Sequence, residues 1–512
     1  MSTMDALIQA VGLLANFTNI LALAGGVALG IVVGAIPGMS ATMGVALALP
    51  FTFALDPIVG ILFLLGVYKG GIFGGSIPGI LVKAPGTPAS SCTVLDGYPM
   101  SQKGEAGKAL QTALYSSAIA DFVSNLSLIV FAGWLAALAL NFGPPEYFTL
   151  MLFSLTVIAG VSGNSLLKGM ISAGLGLLLA TVGLDLVYGT DRFIFGETNL
   201  MSGLNFIPVL IGLFAIPEVI IYAQRSVLSH GKVMSLGTTG LKFAEFRRIL
   251  KTIFKSSGIG VIMGAIPGIG GAPAAFVAYS EARRSSPNRA NFGKGEIEGV
   301  AASEAGNNGV AGATLIPLLA LGIPGDVITA VILGAFMVHG LQPGPILFQT
   351  NAVLIYALFI GIMLSSIFLL IFGSIAIRMF RRIADVPKSV LMPSVLVLCA
   401  YGSFAINNSL FDVLVMMSVG VLGYLMWLTN IPAAPFLIAF ILGPQVEDNF
   451  RQSMLMSQTN IEIFFRSTIT WVFWGLTILS IVLAAFRGWQ DRIALKREAD
   501  EAAKASEALE QK

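Results

Sequence analysis

Of 512 residues, 56% are hydrophobic and only 11% charged, far below the roughly 25% charged of soluble domains, which excludes an ordinary soluble globular protein. The formal net charge is +2, so no nucleic-acid partner is expected. Two cysteines, Cys92 and Cys399, and two histidines, His230 and His339, lie apart in the sequence, with no spacing of a disulfide framework or a metal cluster.

No Lys or Arg precedes the first apolar run, so no cleaved signal peptide is read and the first span is expected to stay. Residues 1–17 are short and mildly amphipathic. From Ile20 to Leu55 the chain is apolar for longer than the about 20 residues that one span needs, and Pro37-Gly38 sits near its middle. Proline lacks the N–H and clashes with the preceding turn, while glycine tolerates other dihedrals, so a helix, a break and a second helix are predicted. Residues 58–82 form another apolar run, punctuated by Gly70-Gly71, Gly74-Gly75 and Pro78-Gly79. Ala84–Ser91 then supplies polar backbone and hydroxyls without charge.

A long helix is predicted through Leu140, followed by spans near 145–162, 165–188 and 203–223. Basic residues gather between Gln224 and Lys255, and Phe243, Phe246, Leu250 and Phe254 share one helical face there. That pattern predicts an interfacial amphipathic helix on the cytoplasmic surface. Further spans are predicted near 299–322, 327–348, 352–377, 388–405, 409–429 and 466–486, with a proline-interrupted piece at 431–444. The fold class expected is an all-α polytopic membrane protein of about 11–12 spans. Its parts are a first membrane repeat at 1–223, a basic connector at 224–257, a second repeat at 258–486 and a cytoplasmic tail at 487–512.

The repeat is written in the sequence. GIVVGAIPG at Gly30–Gly38 returns as GVIMGAIPG at Gly260–Gly268, an offset of 230 residues. Ile77-Pro78 and Pro85-Gly86 return as Ile316-Pro317 and Pro324-Gly325, an offset of 239. Two elements recurring in the same order identify an internal duplication. Lys and Arg flank Gly258–Tyr279 on both sides, whereas residues 1–68 hold neither. A simple span has one basic flank, so Gly258–Tyr279 reads as a re-entrant hairpin and the copies as oppositely oriented repeats. The N-terminus is then periplasmic and the tail cytoplasmic. Cysteines placed at positions 230 and 290 should label from the same face, and labelling from opposite faces would remove the hairpin.

No GxxxxGK[ST], no HExxH and no convergent Ser/His/Asp set occurs, so no catalytic residue, no enzyme activity and no cofactor are expected. The broken helices carry the chemistry instead. A break inside a bilayer leaves unpaired N–H and C=O groups, tolerated only where they face protein or a watery cavity. Transporters place half-helix N-termini against anionic substrate groups and unwound carbonyls around coupling cations. A plain proline kink repaired by a neighbour is the simpler reading of any single break; four breaks paired by duplication favour a shared polar cavity.

The tips Gly38, Met39 and Ser40 in one copy and Gly268, Ile269 and Gly270 in the other let backbone N–H groups approach a carboxylate. Gly86 and Thr87, and Pro324 and Gly325, form the second breaks. The offset places Thr87 opposite Asp326, Lys83 opposite Gly322 and Lys69 opposite Asn308. Copy one thus suits a carboxylate, with Lys69 and Lys83 attracting it or else snorkelling to an interface. Copy two, with Asp326, Asn307 and Asn308 beside Glu304, suits Na+ or H+ as the coupling ion, unless Asp326 is an ordinary helix cap. No other metal is expected.

These same residues carry a resemblance. The paired GAIPG elements, YKGGIFGGSIPGILVKAPGTPAS from Tyr68 and EAGNNGVAGATLIPLLALGIPGD from Glu304 closely resemble the large membrane subunit of tripartite tricarboxylate transporters, from about residue 15 to about 485. The resemblance implies a multi-pass protein of the bacterial inner membrane that imports a di- or tricarboxylate on an ion gradient. It also implies a small membrane subunit and a periplasmic solute-binding protein as partners. A channel for small organic anions is the alternative, since it too would use re-entrant hairpins.

Overall fold

A computed structural model describes residues 3–37, 39–161, 165–185, 189–225, 240–384 and 388–486. In chain order the helices are α1 (Thr3–Leu14), α2 (Phe17–Ala35), α3 (Ala41–Ala48), α4 (Pro57–Gly74), α5 (Ser76–Val82), α6 (Ser90–Gln102), α7 (Ala106–Ala139), α8 (Pro144–Val161), α9 (Leu166–Ala180), α10 (Phe206–Arg225), α11 (Phe243–Gly264) and α12 (Gly271–Ser285). They continue as α13 (Ile297–Ala313), α14 (Leu315–Leu321), α15 (Val327–Val338), α16 (Pro345–Thr350), α17 (Ala352–Ala384), α18 (Lys388–Asn407), α19 (Leu410–Leu428) and α20 (Ala433–Met456), and α21 is Thr468–Phe486. Two-residue strands β1 (Gly183–Leu184) and β2 (Asp191–Arg192) pair antiparallel. The chain is an all-α polytopic membrane protein.

Contacts divide it into two compact units, Met1–Asn141 with Val182–Trp427, and Phe142–Thr181 with Leu428–Lys512. In the first unit, α4 with α5 and α13 form the centre: 94% of the apolar 18-residue window within Pro57–Val82 is buried, and so is every residue of α13. Glycine makes this possible. A methyl group at Gly30 would lie 2.2 Å from the Val67 carbonyl oxygen, and one at Gly70 equally close to that of Val27, so α2 and α4 meet backbone to backbone. Helices α11 and α13 repeat the arrangement, with Gly260 against the Gly306 carbonyl.

The duplication extends to the backbone. In each copy a long helix, a Pro-Gly break and a second helix (α2 and α3; α11 and α12) precede a helix with a hinge (α4 and α5; α13 and α14). The short halves α5 and α14 both end on a left-handed residue, Lys83 at φ 59° and Gly322 at φ 72°. The following N–H returns to the same carbonyl in each: Ala84 to Pro78 at 3.3 Å and Ile323 to Pro317 at 3.2 Å. This bond satisfies carbonyls that a helix end leaves open. Lysine holds a conformation there that glycine adopts without strain.

In the second unit α8, α9 and α20 pack through small residues, Gly176 of α9 lying against the Phe436 carbonyl of α20. The Ser172 hydroxyl donates to the Pro432 carbonyl. Phe148, Phe450 and Phe464 cluster at one end.

Several boundaries differ from those expected. Among the described residues six helices are long and apolar enough to cross a membrane, fewer than the 11–12 spans anticipated, because broken helices such as α3 and α15 are too short to cross alone. The expected boundary at 257 falls inside α11, which runs on because FKSSGIGVIMG contains no proline. That helix turns Ile249 and Ile253 into the protein core, while Phe243 and Phe254 are exposed and Phe246 packs edge-on to Tyr115 of α7. The span expected at 165–188 ends at Ala180, and 327–348 ends at Val338. Pro444 lies within a continuous α20. Gly38 and the tail from 487 lie outside the described residues.

Candidate transport site

The first break begins where α2 stops and Ile36 turns extended. Ser40 restarts the chain as the N-cap of α3, its Oγ accepting the Met43 N–H at 3.1 Å. The same hydroxyl donates to Oε1 of Glu218, on α10, at 2.8 Å. The preceding Met39 is buried. Gly86 ties the second break to the hinge between α4 and α5: its N–H donates to the Gly75 carbonyl at 3.0 Å. A methyl group on it would lie 2.7 Å from the Gly34 carbonyl oxygen and 3.3 Å from that of Met39. Thr87 Oγ1 accepts the Ser90 N–H at 3.2 Å just ahead of α6, whose N-cap is Ala89.

The second copy joins its two breaks directly. Gly268, at φ 88°, donates its N–H to the Gly325 carbonyl at 2.7 Å. Gly325 follows Pro324 and presses on Thr314, the residue at the hinge between α13 and α14. Asp326 caps α15, accepting the Thr329 N–H at 2.8 Å, and so occupies the place that Thr87 holds in copy one. Ile269 and Gly270 form the tip, and a methyl at Gly270 would stand 3.6 Å from the Asp326 Cβ.

The copies also touch one another. The Tyr68 hydroxyl, on α4 of copy one, lies 3.1 Å from Thr314 Oγ1 and donates to Asp326 Oδ2 at 3.3 Å. At the start of α12 a methyl on Gly271 would meet Asn307 Oδ1 at 2.4 Å and the Ala89 methyl of copy one at 3.6 Å. Asn307 Nδ2 is buried there without a hydrogen-bond partner among the described residues. Asn308 turns the other way: its Nδ2 donates to Ser117 Oγ on α7 at 2.8 Å. The structure therefore gathers Met39, Ser40, Gly86 and Thr87 at one junction and Gly268, Ile269, Gly270, Pro324, Gly325, Asp326 and Asn307 at the other.

The model of the Tripartite tricarboxylate transporter TctA family matches residues 20–438. The chain belongs to that family. It is also 35% identical over 476 residues to an uncharacterized 52.8 kDa protein of the TAR-I ttuC' 3' region in Agrobacterium vitis, covering 92% of this chain and 95% of that protein. An uncharacterized protein of the TAR-II ttuC' 3' region in the same organism is 34% identical over 225 residues, 44% of this chain and 93% of that one. No solved structure matches the chain. Membership of the TctA family makes the chain a multi-pass membrane component of a tripartite carboxylate transporter.

Charges inside this TctA-family chain are placed as follows. Lys69 is fully buried and its Nζ lies 2.5 Å from Asp121 Oδ1 and 2.6 Å from Asn125 Oδ1, both on α7. Its charge is therefore matched within the protein. Lys83 is exposed, its Nζ 5.7 Å from the centre of the Tyr98 ring. Sequence reasoning missed Asp121, Tyr68 and Glu218. A signal existed for the two acids, each standing within a long apolar helix, where an ionisable group marks a functional position. Tyr68 gave none, because its partners lie more than two hundred residues away.

Proposed function

We propose that the chain is the membrane core of a secondary transporter that imports a di- or tricarboxylate across the bacterial inner membrane on a Na+ or H+ gradient. A periplasmic solute-binding protein delivers the substrate, a small membrane subunit completes the complex, and two inverted repeats alternate access around the paired breaks. The observation that carries the reading is an acid at each tip: Glu218 on Ser40 and Asp326 behind Gly270. Whenever these acids are ionised, a carboxylate substrate approaching either tip meets a like charge, and two unit charges 4 Å apart repel by about 4 kcal/mol at an effective dielectric of about 20. A bound cation removes that repulsion. Anion binding then depends on the ion, which is what coupling requires.

In this reading the backbone N–H groups of both tips and of Gly86-Thr87 hold the carboxylates, and Asp326 with Asn307 holds the cation. Asn308, one position on along α13, ties that region to Ser117 of α7. Lys83 attracts the anion from outside, whereas Lys69 acts through Asp121. The Asp326→Asn variant keeps the cap on Thr329 and so should fold. Its uptake of labelled citrate or succinate should need at least about tenfold more coupling ion, equivalent to 1.4 kcal/mol. An unchanged ion dependence in a well-folded variant reduces Asp326 to a helix cap.

A further inference from the structure

One carboxylate stands apart from both tips. Glu304 lies on α13 and is completely buried. Its Oε1 accepts hydrogen bonds from Ser76 and Thr93, each at 2.5 Å, and its Oε2 from Ser117 at 2.9 Å. Asn308 Nδ2 stands 3.5 Å from Oε2. All four are neutral, and three of them come from copy one. The duplication makes the acid unexpected: at the offset of 239 its counterpart is Leu65, which is buried in the core. An acid replaces an apolar side chain in one copy only.

Other charged groups on the packed helices are engaged elsewhere. Asp121 of α7 is held by Lys69. Asp96 of α6 accepts the N–H groups of Gly293, Gly295 and Glu296 and the Tyr279 hydroxyl of α12. Glu281 of α12 pairs with Lys255 of α11 and with Arg284. Glu298 of α13 accepts the Ser286 hydroxyl, Cys92 of α6 accepts that of Ser303, and Tyr68 of α4 turns to Asp326. None of them neutralises Glu304.

A chain of hydroxyls leads from this acid to the second break of copy one. Ser76 Oγ lies 3.3 Å from Ser90 Oγ, which lies 2.7 Å from Thr87 Oγ1. Thr87 is partly exposed and stands at the junction assigned to the substrate. The contacts at Glu304 are too short to share a metal ion. A hard cation sits about 2.3–2.6 Å from each oxygen ligand and so spreads neighbouring ligands beyond about 3 Å. A proton fits the space.

We propose that Glu304 is a proton-binding site linked to the substrate through Thr87, Ser90 and Ser76. A proton arriving at Thr87, from water or from a substrate carboxyl group, is accepted by its hydroxyl, which passes its own proton to Ser90. Ser90 does the same toward Ser76, and Ser76 delivers one to Glu304 Oε1. No bond other than O–H is made or broken, and release runs the same path backwards. The proposal rests on the transport reading above and names a carrier for its driving proton.

Infrared spectroscopy of the purified full-length chain at neutral pH tests the site without transport. The wild type should show the C=O stretch of a protonated carboxyl group that is absent from Glu304→Gln, and that persists in Ser76→Ala because the acid remains. A difference spectrum without that band overturns the proposal. Uptake of citrate and succinate by the assembled transporter in vesicles tests the link. An imposed pH gradient should raise wild-type uptake at least tenfold and leave Glu304→Gln unchanged by the gradient, with Ser76→Ala between them. Wild-type uptake that answers to a Na+ gradient and ignores the pH gradient overturns this inference and leaves the transport reading intact. Saturable uptake that no gradient drives overturns both.

Discussion

Replacing Asp121 by alanine is expected to destabilise the protein by about 3–5 kcal/mol, the usual consequence of removing one partner of a buried ion pair. Lys69 is enclosed, and Asp121 supplies its charged partner at 2.5 Å. Asp121 also ties α7 to α17, because Ser366 donates to its Oδ2 at 2.7 Å. The variant would leave an ammonium group in an apolar interior with Asn125 as its remaining partner in this cluster. Thermal unfolding in detergent measures the loss. Lys69→Met in the same chain should recover most of it, since a buried pair replaced by apolar residues of similar volume is often neutral. The double variant also decides whether Lys69 attracts substrate: uptake close to wild type leaves the pair a structural one. An Asp121→Ala protein as stable as wild type contradicts the pairing.

The second large effect belongs to the glycines at the junctions. Gly268→Val forces a β-branched side chain into φ 88°, strain of about 1–3 kcal/mol before any contact is counted. Gly86→Val has no such dihedral but no room either, with backbone atoms of Gly34 and Gly75 at 2.7 and 2.9 Å from the first added carbon. Either change pushes a tip off its partner break. At matched membrane expression both should lower carboxylate uptake at least about 100-fold, which corresponds to 2.7 kcal/mol. Gly133→Val on α7 is the control, since no atom lies within 4 Å of its added carbon. Normal uptake by both junction variants would make the breaks structural kinks and place the substrate elsewhere.

What the sequence disclosed was punctuation. Pro37-Gly38 and Pro267-Gly268 announce breaks because proline and glycine act locally, and the offset of 239 aligns Thr87 with Asp326. Asp326 caps α15 on Thr329 by such a local rule, while Thr87 accepts the Ser90 N–H ahead of α6, whose N-cap is Ala89. Boundaries without proline are less legible: Lys255 to Gly264 changes from basic to apolar with isolated glycines alone, and the helix continues through it. Partners were not legible at all. Ser40 meets Glu218 across 178 positions and Ser76 meets Glu304 across 228, and nothing in a local pattern encodes which helix lies beside which. The glycine faces of α2 and α4 lie between these cases. Small residues recur along both helices, and only the fold decided that they pack on each other.

The central claim is that paired breaks carry a carboxylate in company with a cation. Uptake of labelled citrate and succinate by vesicles containing the assembled transporter, with and without an imposed Na+ or H+ gradient, tests it most directly. The account predicts saturable uptake that accumulates substrate against its gradient only while the ion gradient lasts, and that collapses when an ionophore dissipates it. Flux that rises linearly with substrate concentration and ignores both ion gradients would contradict it and identify a channel.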